Sequence, residues 1–125
     1  MTLADFAEHA LALVQHKDLI KKQISEIRKK SDVEYEIVYN DKIVALHISP
    51  TLEKAHSGTI ICDNTKKNVD AVVQNWDELI KLNTTILFLN VKTGGNWSLH
   101  PKTHQKIMGS DNILKGLKSI YANCA

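Results

Sequence analysis

The chain predicts an α/β domain on a mixed four- to five-stranded sheet, and three observations carry that expectation. Between Thr59 and Val91 an apolar run, an amphipathic helix pattern and a second apolar run follow one another with almost no connecting residues. A strand, a helix and a strand joined so tightly should make a right-handed crossover between parallel strands. Val33 to Tyr39 alternates apolar with polar residues at period two, the mark of a strand with one wet face. Near the N-terminus, apolar residues recur at three- and four-residue steps, which reads as helix. A length of 125 residues, 43% of them hydrophobic and 24% charged, suits one globular domain spanning residues 1–125.

The first element is expected over residues 2–30, where Leu3, Phe6, Ala10, Leu13, Ile20, Ile24 and Ile27 share a stripe and Lys17 fills the missing place. Its phase is continuous, so one long helix is predicted, or a helical hairpin broken at His16-Lys17-Asp18. Such a narrow seam packs on the domain's own sheet, with a second copy of the chain as a further partner. Ser31 and Asp32 are expected to end this helix. The strand 33–39 then turns at Asn40 and Asp41 into the apolar run Lys42–Ile48, an antiparallel hairpin closed by Ser49 and Pro50.

Residues 51–57 connect to Gly58 and the run Thr59–Asp63, whose Ile60, Ile61 and Cys62 suit burial on both faces. The next helix has Asn64 or Thr65 as N-cap and places Val69, Val72, Val73, Trp76, Leu79 and Ile80 on one face, with Asn83 as its stop. Thr84–Val91 is the second parallel strand. Thr93 to Asn96 turns the chain into a short edge strand at Trp97–Leu99. Pro101 opens a helix ending near Met108. Ser110 caps a last helix with a stripe of Ile113, Leu114, Leu117, Ile120, Tyr121 and Cys124.

The formal charge is only +2, but it is uneven: residues 92–125 carry five basic groups and one acidic, while residues 33–91 carry five and eight. A basic C-terminal third beside an acidic middle could meet a polyanion, and it serves equally as a solvated lysine face. Two cysteines make no disulfide framework. With no secretory leader and no apolar run of the ~20 residues a membrane span needs, a cytoplasmic protein is expected.

At the strand-to-helix turn stand Asp63, Asn64, Thr65, Lys66 and Lys67. The first three are good capping residues, but Lys66 and Lys67 oppose the helix dipole. An anion held between these lysines and the helix end would reconcile the charges. Trp97, His100, Lys102, His104 and Lys106 form a second basic, partly aromatic segment of a kind that stacks on bases and touches phosphates. His100 and His104 stand one turn apart, a spacing that suits zinc, yet no carboxylate or cysteine lies beside them. No phosphate loop, dinucleotide fingerprint or nucleophile elbow occurs, and Cys62 lies mid-strand in apolar company.

The element order helix, strand, strand, strand, helix, strand over residues 15–91 resembles the core of the PD-(D/E)XK, or restriction-endonuclease-like, nucleases, a superfamily that includes archaeal Holliday-junction resolvases. The resemblance implies an acidic residue near the second strand and an acidic-x-Lys motif on the third, converging on Mg or Mn for phosphodiester hydrolysis. On that pattern Asn64 takes the acidic position, Lys66 the lysine and Gln74 a polar helper on the following helix. No carboxylate lies near Ser49 and Pro50, which leaves Asp41 or Glu53 as replacements. A shifted register makes Asp63 the metal carboxylate but puts Thr65 where lysine belongs.

The expectation is therefore a nucleic-acid-associated module with a degenerate nuclease-like fold, binding DNA without cleaving it, with Lys66, Lys67, Lys102 and Lys106 on phosphates. The alternatives are a metal-dependent DNA nuclease using Asp63, Asn64 and Lys66, and a protein-interaction or dimerisation module with no nucleic-acid role.

Overall fold

The computed structural model describes residues 2–52, 56–108, 115–117 and 119. Helix α1 (Leu3–Lys17) is followed by four strands, β1 (Ile24–Lys29), β2 (Glu34–Tyr39), β3 (Ile43–Ile48) and β4 (Gly58–Asp63). Helices α2 (Lys66–Gln74) and α3 (Trp76–Leu79), strands β5 (Thr84–Leu89) and β6 (Asn96–Leu99), and helix α4 (Pro101–Met108) complete the elements. The strands form one six-stranded sheet in sequence order. Pairs β1–β2, β2–β3 and β5–β6 are antiparallel, whereas β3–β4 and β4–β5 are parallel. The mixed α/β architecture is as expected, with more strands than expected.

Helices cover both faces. On one, Phe6, Ala7, Ala10 and Val14 of α1 pack on Tyr35, Ile37, Leu46, Ile48, Ile61, Leu87 and Leu89. On the other, Val69, Val72, Trp76 and Leu79 meet Ile60, Cys62, Ile86, Phe88 and Leu99. Alternate residues of β4 and β5 thus serve opposite cores, which is why both strands read as unbroken apolar runs. Gly58 starts β4 at φ +94°, where a Cβ would collide with the Ala45 carbonyl oxygen of β3, so only glycine fits the close approach of the strands.

The predicted long N-terminal helix is corrected. Helix α1 stops at Lys17, and the Asp18 carboxylate, instead of starting another helix, accepts the N–H groups of Gln23 and Ile24 at 2.8 and 3.0 Å. The chain then enters β1, an edge strand. A bulge between Ile24 and Glu26 shifts the pairing with β2 by one residue. That shift lets Ile24 and Ile27, three apart, pack on the same α1-side core, so a bulged strand imitates helical spacing. Ser31 does not end a helix but shapes the β1–β2 turn, its hydroxyl accepting from Val33 N and Glu34 N.

The single helix predicted after β4 is two. Asn75 sends its side-chain amide back to the Ala71 carbonyl at 2.8 Å and adopts φ −101°, ψ 15°, a local bond that competes with helix continuation. The edge strand near Trp97 and the helix opened by Pro101 stand where expected. Of the predicted last helix, residues 115–117 and 119 are helical and Leu117 is buried in the α2-side core; its other positions lie outside the described residues.

Candidate functional site

The parallel strands β3, β4 and β5 end at the same side of the sheet, since Ile48 lies beside Ile61 and Asp63 beside Leu89. In open α/β sheets the carboxyl ends of parallel strands form the natural crevice for ligands. Here that edge carries Ser49–Pro50, the Asp63-Asn64-Thr65 turn and Asn90. Thr65 caps α2, its hydroxyl accepting Asn68 N at 3.2 Å and its carbonyl accepting Val69 N at 3.1 Å. Among the described residues the N–H groups of Lys66 and Lys67 meet no acceptor, as the first N–H groups of a helix do. Both lysines are exposed, and no acidic residue occupies the first turn. The helix end is therefore doubly positive, from its own dipole and from two ammonium groups.

Two buried asparagines organise this edge. Asn68, only 2% exposed, accepts Leu52 N at 2.9 Å and donates to the carbonyls of Pro50 and Asp63, both at 2.7 Å. It pins the chain after β3 to the end of β4 and to α2. Sequence reading missed this role. The available signal was a polar residue beside Val69 at the edge of an otherwise apolar helix face.

Asn64 is 7% exposed. Its Oδ1 accepts the Trp97 indole N–H at 2.9 Å, while its Nδ2 is buried with no hydrogen-bond partner among the described residues. Turning the amide over would set Nδ2 against the indole N–H, donor against donor, so Trp97 fixes the orientation. Trp97 is in turn stacked on Phe88, with ring centroids 4.0 Å apart and 6° between the planes. It serves the edge-strand core. An unpaired buried amide costs on the order of 1–3 kcal/mol, and here it stands two residues before the first turn of α2.

The residues singled out by sequence are only partly gathered. Asp63, Asn64, Lys66 and Lys67 share the carboxyl edge. Gln74 lines one groove of about 610 Å³ with Lys66, Lys67, Asp70 and Leu52, but it sits at the other end of α2, about 12 Å along the axis from Lys66. Lys102 points elsewhere: its Nζ lies 3.5 Å from Asn83 Oδ1, at the start of β5. Gln105, next to Lys106, accepts the Trp76 indole N–H beyond the end of α2. The α2 pair and the α4 pair of lysines therefore lie toward opposite ends of the sheet, about 17 Å apart along β5.

Asp41 occupies the β2–β3 hairpin, also at the far end, separated from Asp63 by the length of β3. Glu53 lies outside the described residues. Among the described residues no group of three His, Cys, Asp or Glu side chains is placed to hold a metal ion. His100 and His104 are occupied structurally. His104 Nδ1 lies 3.0 Å from His100 N at the start of α4, and His100 Nδ1 lies 3.0 Å from the Thr85 hydroxyl. Burial, reinforced by the neighbouring Asp63 charge, pushes the Cys62 thiol far above its ordinary range, so it is a packing group and not a nucleophile.

Among the described residues no helix is long and apolar enough to cross a membrane. No protein-family model, curated protein or solved structure matches this chain.

Proposed function

We propose that this chain is a nucleic-acid-associated module that holds a backbone phosphate at the start of α2 without cleaving it, on a degenerate restriction-endonuclease-like core. One observation carries the reading: the buried Asn64 amide has an unpartnered donor next to two open helix N–H groups and two exposed lysines. Every one of these groups favours an anion. Asp63 at the turn and Asp70, in the same groove as the lysines, offset the lysine charges, so the helix end and the amide donor carry the attraction.

The nuclease relationship rests on the Asn64-x-Lys66 remnant at the end of a strand entering a helix. The insertion of β1 gives four strands before that helix, where the family order has three. The catalytic alternative, DNA cleavage with Mg or Mn at Asp63, needs a second carboxylate at this edge, and Asp41 stands at the other. The residues described do not fit a two-carboxylate metal centre.

The test is fluorescence anisotropy of labelled duplex, single-stranded and branched DNA across a salt series, wild type against a Lys66→Ala, Lys67→Ala double variant. Binding that weakens steeply with salt, with a slope that drops in the variant, supports the reading. Absence of binding at low salt overturns it.

A further inference from the structure

We infer that the exposed edge of β1 pairs with the same edge of a second copy of this chain, making a two-fold dimer whose sheet runs continuously through both protomers. The argument is independent of the phosphate reading. Among the described residues strand β1 ends the sheet order and no strand or helix pairs with its outer edge; an open groove lined by Leu3, Ala7, Leu11, Ile27 and Lys29 lies between it and α1.

Hydrogen-bond parity decides which backbone groups face outward. Lys30 N donates to Glu34 O at 2.8 Å, in a register that also pairs Arg28 with Glu36 and Glu26 with Val38. Bonded and non-bonded pairs alternate along an antiparallel ladder. Glu26 and Arg28 therefore spend their backbone groups on β2, while Ile27 and Lys29 turn theirs to the open edge. A partner strand must use Ile27 and Lys29 for its narrow pairs.

Charge then selects the register. With the two-fold axis at Ile27, Glu26 stands opposite the partner's Arg28, and Arg28 opposite the partner's Glu26, at the close non-hydrogen-bonded positions. Glu26 and Arg28 already share one face, since their side chains meet at 2.7 Å within the chain and both are about half exposed. Shifting the axis one residue toward the N-terminus sets Glu26 against the partner's Glu26. Shifting it the other way sets Arg28 against the partner's Arg28. Like charges directly opposed are destabilising and opposite charges stabilising, so these side chains reject the neighbouring registers and favour one. On the other face, Ile27 meets the partner's Ile27 at the axis and extends the apolar floor of the groove. Charges on an edge usually blunt pairing; here their order admits a single partner, the strand itself.

The experiment is sedimentation velocity over a concentration series, with circular dichroism as the check on folding. Wild type should dimerise. Arg28→Glu and Glu26→Arg should each weaken the dimer by about tenfold or more, because each creates like-charge pairs across the axis. The exchanged variant carrying both substitutions should restore it, since the opposite-charge pairing returns with its signs swapped. The substituted side chains are half exposed, so the fold survives. Wild type that stays monomeric up to about 100 μM, a dimer indifferent to the single reversals, or an exchanged variant that stays as weak as the single ones would each overturn the inference.

Discussion

Asn64 and Asn68 are four residues apart, one before and one within α2, both buried, and they have opposite accounts. Asn68 has donors and acceptor all matched, to Pro50, Asp63 and Leu52. Asn64 has its acceptor matched by Trp97 and a donor left over. A fully satisfied buried amide is an architectural clamp, since it rigidifies what it joins. A half-satisfied one retains a cost that folding alone does not explain. The comparison therefore separates the part of the carboxyl edge that builds the fold from the part to which we assign the proposed phosphate contact, and substitutions can break it on either side.

The largest effect should fall on the clamp. Asn68→Ala strands the Leu52 N–H and takes one of two donors from each of the Pro50 and Asp63 carbonyls, which keep Asp63 N and Thr65 N, and is expected to cost about 3 kcal/mol in urea unfolding. Its consequence should extend beyond α2, because the connection after β3 loses its anchor, and hydrogen exchange of Leu52 should quicken with it. A loss below roughly 1 kcal/mol would mean that Asn68 is not the clamp its geometry indicates.

A smaller loss is expected from the other asparagine's partner. Trp97→Phe keeps a ring to stack on Phe88 but removes the indole N–H that fixes Asn64, for about 1–2 kcal/mol. Asn64→Asp sharpens the contrast differently: the carboxylate still accepts from Trp97, while the open donor becomes a negative charge. DNA affinity at low salt should then fall by about tenfold, the scale of one charge-assisted contact. Unchanged affinity would remove Asn64 from the ligand site.

The Lys66→Ala, Lys67→Ala variant should leave stability within about 0.5 kcal/mol of wild type, because the lysines are exposed and oppose the dipole. Its effect should appear in the salt dependence of duplex binding, whose log–log slope falls by about 2 when two phosphate contacts are lost. A stability loss with no change in slope would make these lysines part of the fold instead.

How legible these roles were in the sequence depended on how far apart the partners lie. The β2–β3 hairpin and the β4–α2–β5 unit are local patterns, and their alternation and apolar faces predicted burial except at Ile43 and Val73, which are exposed. Strand β1 was hidden because the bulge before Glu26 spaces Ile24 and Ile27 like a helix, and that one element also raised the strand count to six. The break at Asn75 was hidden because the apolar stripe keeps its phase through it. Asn64 could be read as a cap or as a motif remnant, but not as buried: its environment comes from Trp97, 33 residues away. Clustering of the basic residues was equally out of reach, since α4 begins after β6 has carried the chain back to the amino-terminal end of the sheet.

That return path motivates the smallest expected effect. Lys102 and Lys106 belong to the most basic third of the chain, and charge counting alone makes them as good a phosphate surface as Lys66 and Lys67. Geometry separates them: Lys102 rests near Asn83, about 17 Å along β5 from the Asn64 amide and the start of α2. At 0.15 M salt the Debye length is about 8 Å, so a charge at that distance adds little to a phosphate held at α2. Lys102→Ala with Lys106→Ala should therefore change the salt slope by less than about half a unit, against about 2 for the α2 pair. Equal slopes from the two variants would mean that a nucleic acid long enough to span both ends reads the whole face, and that the contrast between the two asparagines does not locate the contact.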